Sequence, residues 1–428
     1  MLNPFTWQQD KGLAERTPWA SSAAAFAAAA LVLGLRAPDS LVLPQFWAED
    51  GAEFFAAQLH QTLPQLFLPY AGYLHLIPRL IAWVASAFSA HYAPAIYNYA
   101  ALLIGAASIV SLRELRLGLG SFAFVLAPFA LTPTNGEVFG TLTNVQWLTQ
   151  FYLFVVIARF VEGRAPTNPW RAGIATALVG LSGPFCLFAS FSALASWLCA
   201  WLVCRRNEFA PRSLLRSSAA QGIGILLLCS VIQLWVMMHD AKTPHATPAQ
   251  WLAGIATMLS SLQTHFFGYK LLHDGVFLAM AAMVVAASLI GISRIGGDRA
   301  TLGVIIACVS VGFCAAAIRS LDPRLISIEI FAGDRYFLSA KILLWWCITV
   351  IIAAIWRDSV NGRLAALTVL LGASAVSASP LLQRPPLRDM SWHVYANLID
   401  QGDAITVPLN PNWEMSLPAR ARSTPSAQ

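Results

Sequence analysis

Apolar residues fall along this chain in long, nearly uncharged runs separated by short polar stretches, without the strict alternation of half-buried strands. Runs of about 17 to 25 residues match the length a helix needs to cross the hydrocarbon of a bilayer. A membrane barrel would give shorter, alternating segments. The runs place spans at 19–36, 94–112, 118–133, 139–159, 171–187, 188–204, 218–238, 273–291, 301–318, 338–356 and 363–380. That makes about eleven helices, and the chain reads as an all-α polytopic membrane protein.

One more apolar segment, 73–90, carries His75, Pro78 and Arg79 near its middle, which suits a helix lying at the membrane interface. Charge agrees. If 73–90 does not cross and the N-terminus is cytoplasmic, the inner loops hold more than half of the 27 Lys and Arg residues but only a third of the 21 acids. A crossing at 73–90 would reverse this positive-inside pattern. Residues 1–18 are polar and Ala20–Leu35 has no clear processing site, so the first run reads as a span and not as a cleaved signal.

Composition narrows the classes. Hydrophobic residues make up 57% of the 428 residues and charged ones 11%, against roughly 25% charged in soluble domains. The net charge of +6 is scattered over many short loops, which fits orientation in a membrane and not nucleic-acid binding. The seven cysteines lie in or beside apolar runs with no metal or disulfide spacing and read as small core residues. The large outer segments are 37–93, 239–272, 319–337 and 381–428, and all eight histidines fall on or at the edge of that face. Residues 1–380 form the membrane domain, with interfacial helices in the first outer loop, and 381–428 form a short non-cytoplasmic element. In that element Trp392–Leu398 reads as a helix and Ala404–Val407 as strand-like. Pro408, Pro411 and Pro418 then break regular structure, and 419–428 reads as disordered.

The densest chemistry is Phe46-Trp47-Ala48-Glu49-Asp50-Gly51-Ala52-Glu53, three carboxylates where the chain leaves the first span. On a helix Glu49 and Glu53 share a face, whereas in a turn Glu49 and Asp50 both reach one substrate. Either can take a proton from an incoming hydroxyl, and solvated acids on a surface helix are the plain alternative. Tyr70-Ala71-Gly72-Tyr73 with His75 and Arg79 offers aromatic faces for a sugar and a donor fork for a phosphate. An interfacial aromatic belt explains the same residues. Arg319, Arg324, Arg335 and Lys341 form a basic group beside Asp334 that suits an anionic leaving group. His239, His245, His265, Lys270 and His273 have no compact metal spacing and are candidates for phosphate binding or ordinary loop positions. Asn144 and Gln146, at the start of a span, can donate hydrogen bonds to a sugar or satisfy other helices.

Phe46-Trp47-Ala48-Glu49-Asp50-Gly51, Tyr70-Ala71-Gly72-Tyr73, Thr143-Asn144-Val145-Gln146-Trp147, Ser182-Gly183-Pro184-Phe185, Gly333-Asp334-Arg335-Tyr336-Phe337 and Val407-Pro408-Leu409-Asn410-Pro411-Asn412-Trp413 follow one another through most of the chain. In that order the chain resembles multi-spanning glycosyltransferases of the GT-C fold that use polyprenyl-phosphate-linked sugars, in particular a bacterial branch. The resemblance implies a GT-C-like bundle and an acid, Asp50 or Glu49, acting on the acceptor. It implies donor-phosphate contacts from Arg335, Arg319, Lys270 and His265. Acceptor or sugar contacts are expected from Glu53, Trp47, Tyr73, His75, Arg79, Asn144 and Gln146. The expected partners are a polyprenyl-phosphate sugar, a lipid-linked or cell-envelope glycan acceptor and membrane lipids, in the bacterial inner membrane. No metal ligand set is expected and no cofactor is required, although a divalent cation is compatible. No nucleotide fingerprint or P-loop occurs in the sequence. An envelope-lipid or oligosaccharide transporter is the alternative function.

Overall fold

In a computed structural model, residues 19–59, 63–115, 122–203, 218–240, 247–295, 303–312, 333–356, 359–377 and 379–419 are described. They are mostly helical. The chain runs α1 (Trp19–Arg36), α2 (Leu76–Ala85), α3 (Ala93–Ser111), α4 (Phe122–Leu131), α5 (Gln146–Val161), α6 (Pro169–Gly180), α7 (Phe185–Val203) and α8 (Ser218–His239). It continues through α9 (Pro248–Phe267), α10 (Asp274–Ile295), α11 (Gly303–Gly312), α12 (Leu338–Ile355), α13 (Val360–Ser377) and α14 (Trp392–Gln401). It ends in an antiparallel hairpin, β1 (Ile405–Leu409) with β2 (Trp413–Leu417).

Four stretches, Ala90–Glu114, Phe185–Leu202, Ala220–His239 and Asp334–Ile352, are long and apolar enough to cross a membrane. Shorter apolar helices complete the bundle. Side chains such as Leu103, Phe191, Leu198, Leu228 and Val231 point outward and exposed, an arrangement that a lipid solvent accommodates and water does not. The chain is a multi-pass membrane protein. Helix α5 is the axis of the bundle: it packs against α3, α6, α7 and α8, and almost all of its residues are buried.

Several boundaries depart from the sequence expectation. The span expected at 139–159 becomes α5, and residues 132–145 ahead of it are turns. Short polar side chains there bond to nearby backbone in place of a helical ladder. Gly136 N–H donates to Thr134 Oγ1 (2.9 Å), Glu137 N–H to Asn135 Oδ1 (3.1 Å), and Asn144 Nδ2 to the Glu137 carbonyl (2.9 Å). Gly136, at φ +81°, also lies so close to Arg384 that a Cβ would come within 2.6 Å of its Cα. The break between the spans expected at 171–187 and 188–204 lies earlier, at Ser182-Gly183-Pro184. The outer segment 239–272 holds a 20-residue helix, α9, instead of an extended loop. The strand-like run is Ile405–Leu409, and it gains a partner, Trp413–Leu417. Residues 420–428 and most of the expected disordered end lie outside the described residues, as does Arg319.

Helix α2 has ten residues, about 15 Å at 1.5 Å per residue, half of the hydrocarbon thickness. It belongs to a second core at the end of the bundle that carries loop 37–93. Phe46, Phe54, Phe55, Ile77 and Tyr97 pack there with Trp392, Ile399, Val407, Leu409 and Met415. Phe46 makes edge contacts with Tyr97 (4.9 Å) and Trp392 (4.7 Å). The C-terminal element and the first loop thus share one core.

Candidate functional site

The acidic segment folds as a π-helix, Asp50–Phe55, in which the Ala56 N–H reaches back to the Gly51 carbonyl. Such wide turns recur at functional sites because they re-aim side chains. Here the turn separates the neighbouring acids. Asp50 is fully buried, and its carboxyl group accepts the Leu142 N–H (3.0 Å) on one oxygen and the Thr143 N–H (2.6 Å) on the other. It latches the first loop to the turn that opens α5. Glu49 is half-buried, and its Oε2 is sealed from solvent with no hydrogen-bond partner.

Burial raises the Tyr73 hydroxyl to about 12, with the charges of Arg335 (lowering) and Glu49 (raising) also acting on it. Burial pushes Tyr70 up as well, followed by the charges of Glu49 and Glu53, with Arg335 opposing. Both tyrosines thus feel the opposite charges of an acid and a guanidinium. Gln146 Nε2 donates to the Tyr73 hydroxyl (3.3 Å), and its Oε1 is sealed and unpartnered. A Cβ on Gly183 would come within 2.4 Å of that Oε1, so the glycine makes room for the amide. Trp147 closes the side, edge-on to Tyr336 (5.3 Å) and Phe185 (4.9 Å).

Arg335 is held by Glu137, whose carboxylate accepts the Arg335 N–H (2.9 Å) and its Nη1 (3.4 Å). The guanidinium lies 5.2 Å from the centre of the Tyr336 ring. Behind it, Asp334 is saturated. Its Oδ1 receives Lys341 Nζ (2.7 Å) and faces His265 Nδ1 (2.8 Å), and its Oδ2 receives Thr134 Oγ1 (2.7 Å) and the Asn135 N–H (3.3 Å). Lys341 also donates to the Pro133 carbonyl (2.7 Å), and the His265 ring stacks on Phe337 at 3.8 Å.

The remaining sequence candidates fall into two groups. Glu53 and Trp47 are half-buried beside Glu49. His75, Arg79 and Asn144 are buried in internal contacts. His75 Nδ1 faces the Tyr73 carbonyl (3.2 Å), and its pKa falls to about 3 by burial, so the ring is neutral. Arg79 donates to the Glu53 carbonyl (2.9 Å) and lies over Phe54 (4.9 Å), bracing the acidic turn from behind. Lys270 makes an exposed pair with Asp274, whereas His265 is sealed. Glu137 joins the candidates from the structure; its signal in the sequence is an acid in an Asn-Gly-Glu turn of an acid-poor chain. Among the described residues no group of three or more His, Cys, Asp and Glu is gathered for a metal ion.

Asp50 gives this site a pH signature. Burial pushes its carboxyl up to about 8, against the pull of the two backbone donors. Between the ordinary carboxyl range, about 3.9, and that value, the folded chain holds a proton that the unfolded chain releases. The associated stability is fully present below the unfolded pKa and is lost as pH rises through the folded one. We expect the melting temperature of detergent-solubilised protein to fall between about pH 5 and pH 9, with a flatter slope in Asp50→Asn. Parallel slopes in the two proteins would contradict this.

No protein-family model matches the chain, and no curated protein matches it.

Proposed function

We propose that this chain is a GT-C-like membrane glycosyltransferase with about eleven crossings. It moves a sugar from a polyprenyl-phosphate donor to a cell-envelope lipid or glycan. The N-terminus lies in the cytoplasm, and the site and C-terminus lie on the non-cytoplasmic face of the bacterial inner membrane. One observation carries the reading: Glu49, a carboxylate with an unsatisfied buried oxygen, and Arg335, a braced guanidinium, are fastened to the same turn, one through its neighbour Asp50 on Leu142 and Thr143 and the other through Glu137.

Glu49 takes the proton of the acceptor hydroxyl as that oxygen attacks the anomeric carbon. The bond from that carbon to the phosphate oxygen breaks, and the phosphate leaves as an anion facing Arg335. Its charge is neutralised there, so no acid has to protonate it. A single displacement of this kind inverts the anomeric centre. Tyr70, Tyr73 and Trp47 supply faces for sugar rings, and Glu53 and Gln146 supply hydrogen bonds to their hydroxyls. Asp50, Arg79, Asn144 and the Asp334 cluster hold the frame.

The test is transfer by purified protein in nanodiscs, with a panel of polyprenyl-phosphate sugars and envelope-glycan acceptors. Arg335→Ala is expected to lower kcat by about 10²–10³-fold, the cost of removing one preorganised donor to a developing charge, and Arg335→Lys by less. Undiminished transfer by Arg335→Ala would remove it from the mechanism. Movement of the lipid across the bilayer with no product from any donor would favour the transporter.

A further inference from the structure

We propose that Asn410, in the turn of the C-terminal hairpin, is a positioning residue for Glu49. The proposal rests on the reading of Glu49 as the group that takes the acceptor proton. Two independent contacts fix the backbone on either side of Glu49. On one side the Ala48 N–H donates to the Asn410 carbonyl (2.6 Å), and Trp47 and Asn410 pair as an isolated parallel bridge. On the other side Asp50 is latched to Leu142 and Thr143. Glu49 is the residue between the two fastenings.

Asn410 is itself immobilised. It is buried, its Oδ1 accepts the Arg388 N–H (3.1 Å), and its Nδ2 donates to the Arg388 carbonyl (2.9 Å). The adjacent Leu409 packs so tightly on the acidic turn that a Cβ at Gly51 would come within 2.7 Å of its Cδ1. The same C-terminal segment reaches the basic side of the site. The Thr134 N–H donates to the Leu381 carbonyl (2.9 Å), and Arg384 is bonded to Asp39 (2.6 Å) and to the Phe139 carbonyl (2.8 Å). Thr134 in turn holds Asp334, the neighbour of Arg335. Residues 381–410 therefore tie the acid-bearing loop to the frame behind the guanidinium. The Asn410 side chain, clamped on the Arg388 peptide, holds in place the backbone carbonyl that meets the peptide next to Glu49. A carboxylate that must reach a hydroxyl at hydrogen-bond distance does need that constraint, since displacements near 1 Å cost roughly 10²-fold in rate.

The experiment uses the full chain in nanodiscs and two readouts. By hydrogen–deuterium exchange, Asn410→Ala should speed exchange of the amides at 47–50 by about tenfold or more, while α5 amides keep their wild-type rates. In the transfer assay, Asn410→Ala should lower kcat per folded molecule by about tenfold or more with donor KM unchanged, and Asn410→Asp, which keeps the acceptor for Arg388, should be intermediate. Asn410→Ala added to Glu49→Gln should produce no further loss. Unchanged exchange at 47–50, or an equal loss in the Glu49→Gln background, overturns the positioning role. Full activity of Glu49→Gln with accelerated exchange in Asn410→Ala overturns instead the assignment of Glu49 as the base.

Discussion

Glu49→Gln should lower kcat for sugar transfer by about 10²–10⁴-fold, the usual worth of a positioned proton acceptor, with donor KM little changed. The amide keeps the shape of the carboxylate and loses its ability to accept a proton. Asp50→Asn should behave differently, because both oxygens of Asp50 already accept backbone N–H groups at 2.6 and 3.0 Å and its side chain is sealed. An asparagine there turns an N–H donor toward another donor, so the folded yield falls first. Activity per folded molecule survives to the extent that the acidic turn keeps its place. The comparison is made at equal amounts of folded protein, with initial rates over a range of donor concentration. Loss in Asp50→Asn with full activity in Glu49→Gln would exchange the two roles.

The two acids are neighbours in sequence, which explains why only the structure separates them. The acid cluster was legible because carboxylates are scarce and these fall where the chain leaves an apolar run. The identity of the buried one was not. It is decided by two peptide groups 92 and 93 residues further on, in a turn that hydropathy merges into the following span. The long apolar helices could be read from the chain because burial in lipid or in the bundle imposes the same composition throughout. Helix α9 could not, since Gln250, Thr257, Ser260, Ser261, Gln263 and His265 dilute its apolar character until it resembles a loop. Strand β2 was hidden by the prolines around it, although Trp413, Met415 and Leu417 alternate with polar residues and two of the three are buried. The tie between Asn410 and Ala48 spans the whole membrane domain, and nothing local announces it.

The largest effect on stability should come from Asp334→Asn. Asp334 and Lys341 are almost completely buried and 2.7 Å apart, and the same carboxylate holds Thr134, the Asn135 N–H and His265. Removing one partner of a buried ion pair costs about 3–5 kcal/mol, because the other charge is left without compensation. Here the ammonium keeps the Pro133 carbonyl and a neutral amide oxygen but no counter-charge, and Arg36, bonded to the Ala130 and Thr132 carbonyls, adds a second cation at the same end of the bundle. Lys341→Met should cost less, since Asp334 would still have Thr134 and the Asn135 N–H on Oδ2 and His265 on Oδ1. The double substitution Asp334→Asn/Lys341→Met should recover much of the loss, as replacing both charges removes the stranded one. Thermal unfolding of the four proteins in one detergent at one pH measures the coupling. Simple additivity would mean that the pair is not what holds this corner. Strong coupling, accompanied by a fall in transfer rate in Asp334→Asn, would place the rigidity of the buried cluster upstream of Arg335. The adjoining residues Asp334 and Arg335 would then divide the work, one spent wholly on the frame and the other left to meet the departing anion.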